Sequence, residues 1–258
     1  MSLMSVQWVG LMTMIRKERV RILRIWTQTL LPSVITTTLY FLIFGRFIGS
    51  KIGMLHGVPY IQFIVPGLIM MSVLTNSYAN VTSSVFSAKF QKQIEELLVS
   101  PLHSLTMMLG YLSGGLLRGL LIGILVTAVS LFFSPIQVHS FAMIAATIVL
   151  TAVLFSLAGI INALYAKKFD DIAIVPTFVL TPLTYLGGVF YSVKSLPPIW
   201  QKISYLNPIL YLVNLFRYGF LGMSDVPVIP SFLGLVGIVV VLWAVAYYLF
   251  VRGIGVRQ

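Results

Sequence analysis

Long apolar runs, each able to cross a bilayer as a helix, follow one another almost from end to end of the chain, and they narrow the possible folds more than any single motif. About 20 apolar residues span the roughly 30 Å of hydrocarbon as a helix. Six stretches qualify, at about residues 27–45, 60–81, 106–133, 141–165, 172–190 and 230–250. Hydrophobic residues make up 59% of the chain and charged residues 9%, against about 25% charged in a soluble domain. The sequence therefore predicts an all-α integral membrane protein with six transmembrane helices. Residues 1–258 then form a single domain, with no room for a sizeable extramembrane one.

Charge supplies the orientation. Seventeen basic and six acidic residues give a formal net charge of +11. In a soluble protein that excess would point to nucleic acid. Here the positive-inside bias accounts for it, and no nucleic-acid partner is expected. With both termini cytoplasmic, the inner side carries Arg16, Lys17, Arg19, Arg21, Arg24, Lys89, Lys92, Lys167, Lys168, Arg252 and Arg257. The outer side carries only Arg46, Lys51, Lys194, Lys202 and Arg217, and Arg118 falls inside the third run. The absence of cysteine excludes disulfides and thiol chemistry. His56, His103 and His139 are scattered without metal-ligand spacing.

Between the second and third runs lies a polar segment, AKFQKQIEELLVSP, at 88–101. Phe90, Ile94, Leu97 and Leu98 recur at helical spacing, while Lys89, Lys92, Gln93 and Glu96 lie mostly off that stripe. The pattern predicts one helix of about 20 Å, stopped by Pro101. Burying the four apolar side chains against a partner would contribute roughly 1.5–3 kcal/mol each. Residues 5–26 predict a second amphipathic helix, lying in the interface. Trp8, Leu11, Met12, Ile15, Ile22 and Trp26 share one face, and Arg16, Lys17, Arg21 and Arg24 the other, towards anionic lipid or a partner subunit.

Polar and small residues also form patterns within the runs. Ser72, Asn76, Asn80, Ser83 and Ser87 make one stripe on the second run. It suits either interhelical hydrogen bonding or a translocation wall. Gly115, Gly119 and Gly123 repeat every four residues, as do Gly110 and Gly114, a spacing that lets helix backbones approach closely within or between subunits. Arg118 needs either a carbonyl or lipid phosphate, or an anionic substrate, to offset a cost of several kcal/mol. Asp170 and Asp171 suit the N-terminus of the fifth run as caps. Residues 191–225, rich in proline and aromatics, predict two short helices re-entering the outer leaflet.

Four stretches carry a family resemblance: FIVPGLIMMSVLTNSYANV (63–81), KFQKQIEELLVSP (89–101), FDDIAIVPTFVLTPLTYLGGVFYS (169–192) and LPPIWQKISYLNPILYLVNLFRYGFLG (196–222). Together, and in this order, they resemble a permease of the type-2 ATP-binding-cassette (ABC) exporter family over essentially the whole chain. The resemblance implies an N-terminal connecting helix, re-entrant helices before the last span, and pairing of two permease copies with two ABC ATPase (nucleotide-binding) subunits. It makes 88–101 the coupling helix seated on the ATPase, with Lys89, Phe90, Lys92, Ile94, Glu95, Glu96 and Leu97 at the contact. It implies export of a lipid, glycan or drug across a bacterial inner membrane. No cofactor is then bound by this chain, with ATP and Mg on the partner subunit. The chain has no GxxxxGK[ST] phosphate loop, so ATP hydrolysis belongs elsewhere. The main rival is an ion-coupled secondary transporter. All six acidic residues fall outside the predicted spans, which argues against proton coupling. An intramembrane enzyme lacks any nucleophile–base pair.

Overall fold

The computed structural model describes residues 3–255; Arg257 and the side chain of Leu98 lie outside the described residues. Helix α1 (Leu3–Arg24) leads into the first apolar helix, α2 (Trp26–Ile52), which loosens into a π-helical stretch at Phe41–Ile48. A small hairpin, β1 (Met54–Leu55) and β2 (Val58–Pro59), turns the chain into α3 (Tyr60–Phe90). After the short α4 (Gln93–Val99) come α5 (Ser104–Ser130) and α6 (Phe141–Tyr165). The broken α7 (Asp171–Tyr185), α8 (Pro198–Tyr205) and α9 (Pro208–Leu221) precede the terminal α10 (Val228–Arg252).

Among the described residues five helices, α2, α3, α5, α6 and α10, are long and apolar enough to cross a membrane, against the six expected. The difference lies in α7. At 1.5 Å per residue its 15 residues reach only about 22 Å, well short of the hydrocarbon core. Pro176 and Pro182 withdraw two backbone donors, the ladder slips into a π-helical turn at Pro176–Leu180, and the chain turns at Gly188 with φ +70°.

Helix α3 is the centre of the molecule. It is buried along most of its length, polar residues included, whereas α2 and α10 remain largely exposed. One core gathers Phe63, Ile64, Leu68 and Val73 of α3 with Ile122 of α5, Phe155 of α6 and Leu212 and Phe216 of α9. A second, nearer the other end, joins Val81, Val85 and Phe86 to Tyr111, Leu157, Ile160 and Phe250. Residues 191–225 contain two short helices, α8 and α9. Of these α9 is packed almost wholly in protein, with Arg217 inside it.

The glycine repeat works within the chain. A Cβ on Gly115 would collide with Ser156 of α6 and Val81 of α3, and one on Gly119 with Ser77 and Ala152. A Cβ on Gly123 would press on Val73 and meet Ile148 at ordinary contact distance. Bare backbone at these positions is what lets α5 sit against α3 and α6 together. Replacing Gly115 by Val should destabilise the protein by about 1–3 kcal/mol through overpacking. Gly234→Val in α10, where nothing lies within 4 Å, should leave the melting temperature unchanged. Thermal melts of the detergent-solubilised variants check both.

Candidate functional site

The polar elements gather at one end of the bundle. Helix α3 continues well past the predicted end of its run, to Phe90, for a length of about 46 Å. There it stops, because Lys92 takes a left-handed conformation, φ +60°, and its N–H closes a tight turn onto Lys89 O at 3.0 Å. The single helix expected over 88–101 is therefore two pieces joined by an elbow. An L-residue in this conformation costs about 1–2 kcal/mol, and the turn redirects the chain off the α3 axis.

The elbow separates residues that the helical pattern placed together. Ile94 is 1% exposed and joins the second core, with Leu97 partly buried beside it. Phe90, still on α3, is 63% exposed and lies against Phe86 and Phe169, with ring centroids at 6.2 and 5.0 Å. Lys89 turns inward, its Nζ donating to Leu164 O at 2.7 Å and Ala166 O at 2.6 Å, where it caps the end of α6. Lys92, Glu95 and Glu96 remain exposed. Capping at α7 differs in detail from expectation. Asp170 makes no side-chain cap, while Asp171 Oδ2 accepts the N–H groups of Lys167 (2.8 Å) and Lys168 (2.9 Å). Those two donors hold its carboxyl below the usual aspartate range.

Helix α1 does not lie free on its expected face. It packs on α5, with Met14 against Gly110 and Glu18 against Gly114. Its buried side is Met14, Glu18 and Ile22, while Trp8, Met12 and Trp26 stay exposed. Of the four cations assigned to the interface, Arg16, Lys17 and Arg24 are exposed but Arg21 is drawn inward. Arg21 Nη2 donates to Glu18 Oε2 at 2.8 Å and to both Asn80 O and Asn80 Oδ1 at 3.0 Å, and Nη1 reaches Ser83 Oγ at 3.4 Å. Glu18, 1% exposed, accepts from Ser84 through its other oxygen. The glycines explain the choice of face: only where α5 lacks side chains can α1 seat a carboxylate beside Asn80.

The same helix holds both ends of the α4 segment. Gln7 Nε2 donates to Pro101 O at 2.6 Å, and its Oε1 accepts from His103 N (2.9 Å) and Thr106 Oγ1 (2.7 Å). Ten residues on, Lys17 Nζ donates to Gln93 Oε1 at 3.2 Å.

The polar stripe on α3 is divided between two partners. Its lower members, Asn80 and Ser83, serve Arg21. Its upper members face α2 and α5: Thr37 and Ser72 hydroxyls lie 3.1 Å apart, Asn76 Nδ2 donates to Ser33 Oγ at 2.9 Å, and Arg118 donates to Asn76 Oδ1 from Nη2 (2.8 Å) and Nε (3.1 Å). Arg118 Nη2 also reaches Thr29 O at 3.2 Å. Interhelical bonds thus engage Ser72, Asn76, Asn80 and Ser83 of the stripe, and Arg118. Ser72 and Asn76 also line an open cleft of about 200 Å³ between α2 and α3, with Ser33, Thr37 and Thr75. Arg217, counted by sequence among the outer-side charges, is 1% exposed. Its one signal was a lone cation in an apolar stretch of helical length.

The long apolar helices, the helix tied across one end of them and the polar cleft form one bundle, and comparison with known proteins gives its class. Residues 9–221 match the ABC-2 type transporter family model; the chain belongs to that family. It is 60% identical over 256 residues to the inner membrane transport permease YadH of Escherichia coli (strain K12), covering 99% of this chain and all of the relative. More distantly, it is 29% identical over 202 residues to nodulation protein J of Sinorhizobium fredii, 74% of this chain and 75% of the relative. With nodulation protein J of Neorhizobium galegae it shares 24% over 215 residues, 83% and 82% of the two chains.

Removing Arg21 strands the buried Glu18 carboxylate. Arg21→Ala should therefore cost about 1–3 kcal/mol by leaving Glu18 uncompensated. The double variant Glu18→Gln/Arg21→Ala should recover part of that loss, by the coupling expected of contacting residues. Thermal melts of the single and double variants measure the difference.

Proposed function

We propose that this chain is the membrane subunit of an ATP-driven exporter. A separate ABC ATPase binds ATP and Mg and does the hydrolysis, and a second copy of the permease completes the transport path. Permeases of the ABC-2 family normally work with an ABC ATPase subunit, which is the coarser ground for this reading. The observation that carries the finer one is α4. This short helix is anchored by Ile94, presents Glu95 and Glu96 to solvent, and is tied by Lys17 and Gln7 to α1. Such a helix is stiff enough to receive a displacement from a soluble subunit and is bonded to the elements that must feel it. The exposed acids, with Lys92, Phe90 and Leu97, are the proposed contact; Lys89 acts from behind it, fastening α3 to α6.

In this reading the cations of α1 left exposed, Arg16, Lys17 and Arg24, face anionic headgroups on the cytoplasmic side of the inner membrane. The chain passes the membrane with both termini inside, which requires the α7 region to complete the sixth crossing. The cleft between α2 and α3 is the proposed passage wall, its hydroxyls and Asn76 suited to an amphipathic cargo such as a lipid, glycan or drug. Ion coupling finds no support: the carboxylate buried among the described residues, Glu18, is already committed to Arg21 and Ser84.

Glu95→Lys/Glu96→Lys should leave membrane insertion and melting temperature unchanged while abolishing transport-coupled ATPase activity in liposomes holding the permease and its ATPase. Full coupling in that variant would overturn the assignment of α4. Transport without nucleotide would overturn the ATP-driven reading itself.

A further inference from the structure

At the end of the bundle away from α4, three elements bring basic side chains to one small cavity. Arg217 comes from α9, Lys194 from the short 3-10 turn Val193–Ser195, and His56 from the tip of the β1–β2 hairpin. The cavity holds about 120 Å³, and Phe63, Ser224 and Asp225 complete much of its wall. Arg217 is built into it. Its guanidinium carbon sits 3.8 Å from the centre of the Phe63 ring. Nη2 donates to Gly188 O at 2.7 Å and Nε to Phe63 O at 3.3 Å. Nη1 is buried with no hydrogen-bond partner among the described residues, and none of their carboxylates comes within ion-pair distance of the guanidinium. A guanidinium does not lose its proton in a protein, so this site carries a full charge whose fork of donors is only partly used. His56 is held in a left-handed turn at φ +52°, with its ring 6.2 Å from that of Phe63.

We propose that this cavity is a binding site for a phosphate-type oxyanion, held by Arg217 with Lys194 and His56. Arginine meets such groups through paired donors, and a lysine adds a mobile point charge. The one acid on the wall, Asp225, has Oδ2 occupied by the N–H of Val193 at 3.2 Å, so the two permanent cations outnumber it. A cavity of this volume takes one tetrahedral oxyanion with water. The oxyanion is either a free phosphate or the phosphodiester of a lipid headgroup, because the chemistry is shared. The inference is independent of ATP coupling and is tested without an ATPase.

The test uses the full chain in detergent. Inorganic phosphate is titrated at constant ionic strength against chloride, and the melting temperature is followed. A saturable rise is expected. Lys194→Glu should raise the half-saturating phosphate concentration by about tenfold or more. Asp225→Asn, which keeps an acceptor for Val193, should lower it. Opposite shifts from two changes in the wall cannot come from a general loss of folding. In a second arm, protein from vesicles of phosphatidylglycerol and phosphatidylcholine is examined by native mass spectrometry. Retained phosphatidylglycerol that is lost in Lys194→Glu, with free phosphate inert, assigns the site to a headgroup. A phosphate response equal in all three proteins, or none, together with lipid retention indifferent to Lys194, overturns the proposal.

Discussion

Each cation that this fold takes out of water is held by oxygens on α3 or ties α3 to a neighbour. Arg21 rests on Asn80, Arg118 on Asn76, Arg217 on the Phe63 carbonyl, and Lys89, itself on α3, on the last carbonyls of α6. In hydrocarbon such charges would be prohibitive without partners, and a buried one left alone costs several kcal/mol. A helix that is otherwise apolar supplies the partners, because its few amide and hydroxyl side chains fall at intervals that reach α1, α2 and α5 in turn. The bare backbone of α5 lets those helices come near enough for the bonds to form.

The same arrangement ties the membrane helices to the segment beneath them. Helix α1 is bonded to the base of α3 through Glu18 and Arg21, to the start of α5 through Gln7, and to α4 through Lys17. Movement of α4 relative to the spans would have to break or carry these bonds. The elbow at Lys92 allows α4 to lie across the end of α3 while Ile94 remains in the core that α3 shares with α5 and α6.

Much of this was legible in the residues. Apolar runs gave the long helices, and the interruption between the second and third located α4. The four-residue glycine spacing announced close packing, and the polar stripe left hydrogen bonding and a translocation wall as its two readings. Three things escaped for physical reasons. A left-handed lysine has no sequence signature comparable to glycine's, so the periodicity from Phe90 to Leu97 read straight through the elbow. The hydrophobic face of α1 was read by apolar count, but a carboxylate with an arginine three residues on and glycines opposite outcompeted tryptophan for the interior. Arg217 was read only as one of the outer-side charges, and the fold alone reveals the two carbonyls and the ring that receive it.

Because α3 runs unbroken for about 46 Å and is gripped where Ser77 and Val81 meet the glycines of α5, it resembles a seesaw on an off-centre fulcrum. Measured from Ser77, one arm is about 25 Å and the other about 20 Å. Any rigid rocking about that point sends the two tips opposite ways. A displacement of the Phe90 end would emerge at the Tyr60 end reversed in sense and slightly magnified.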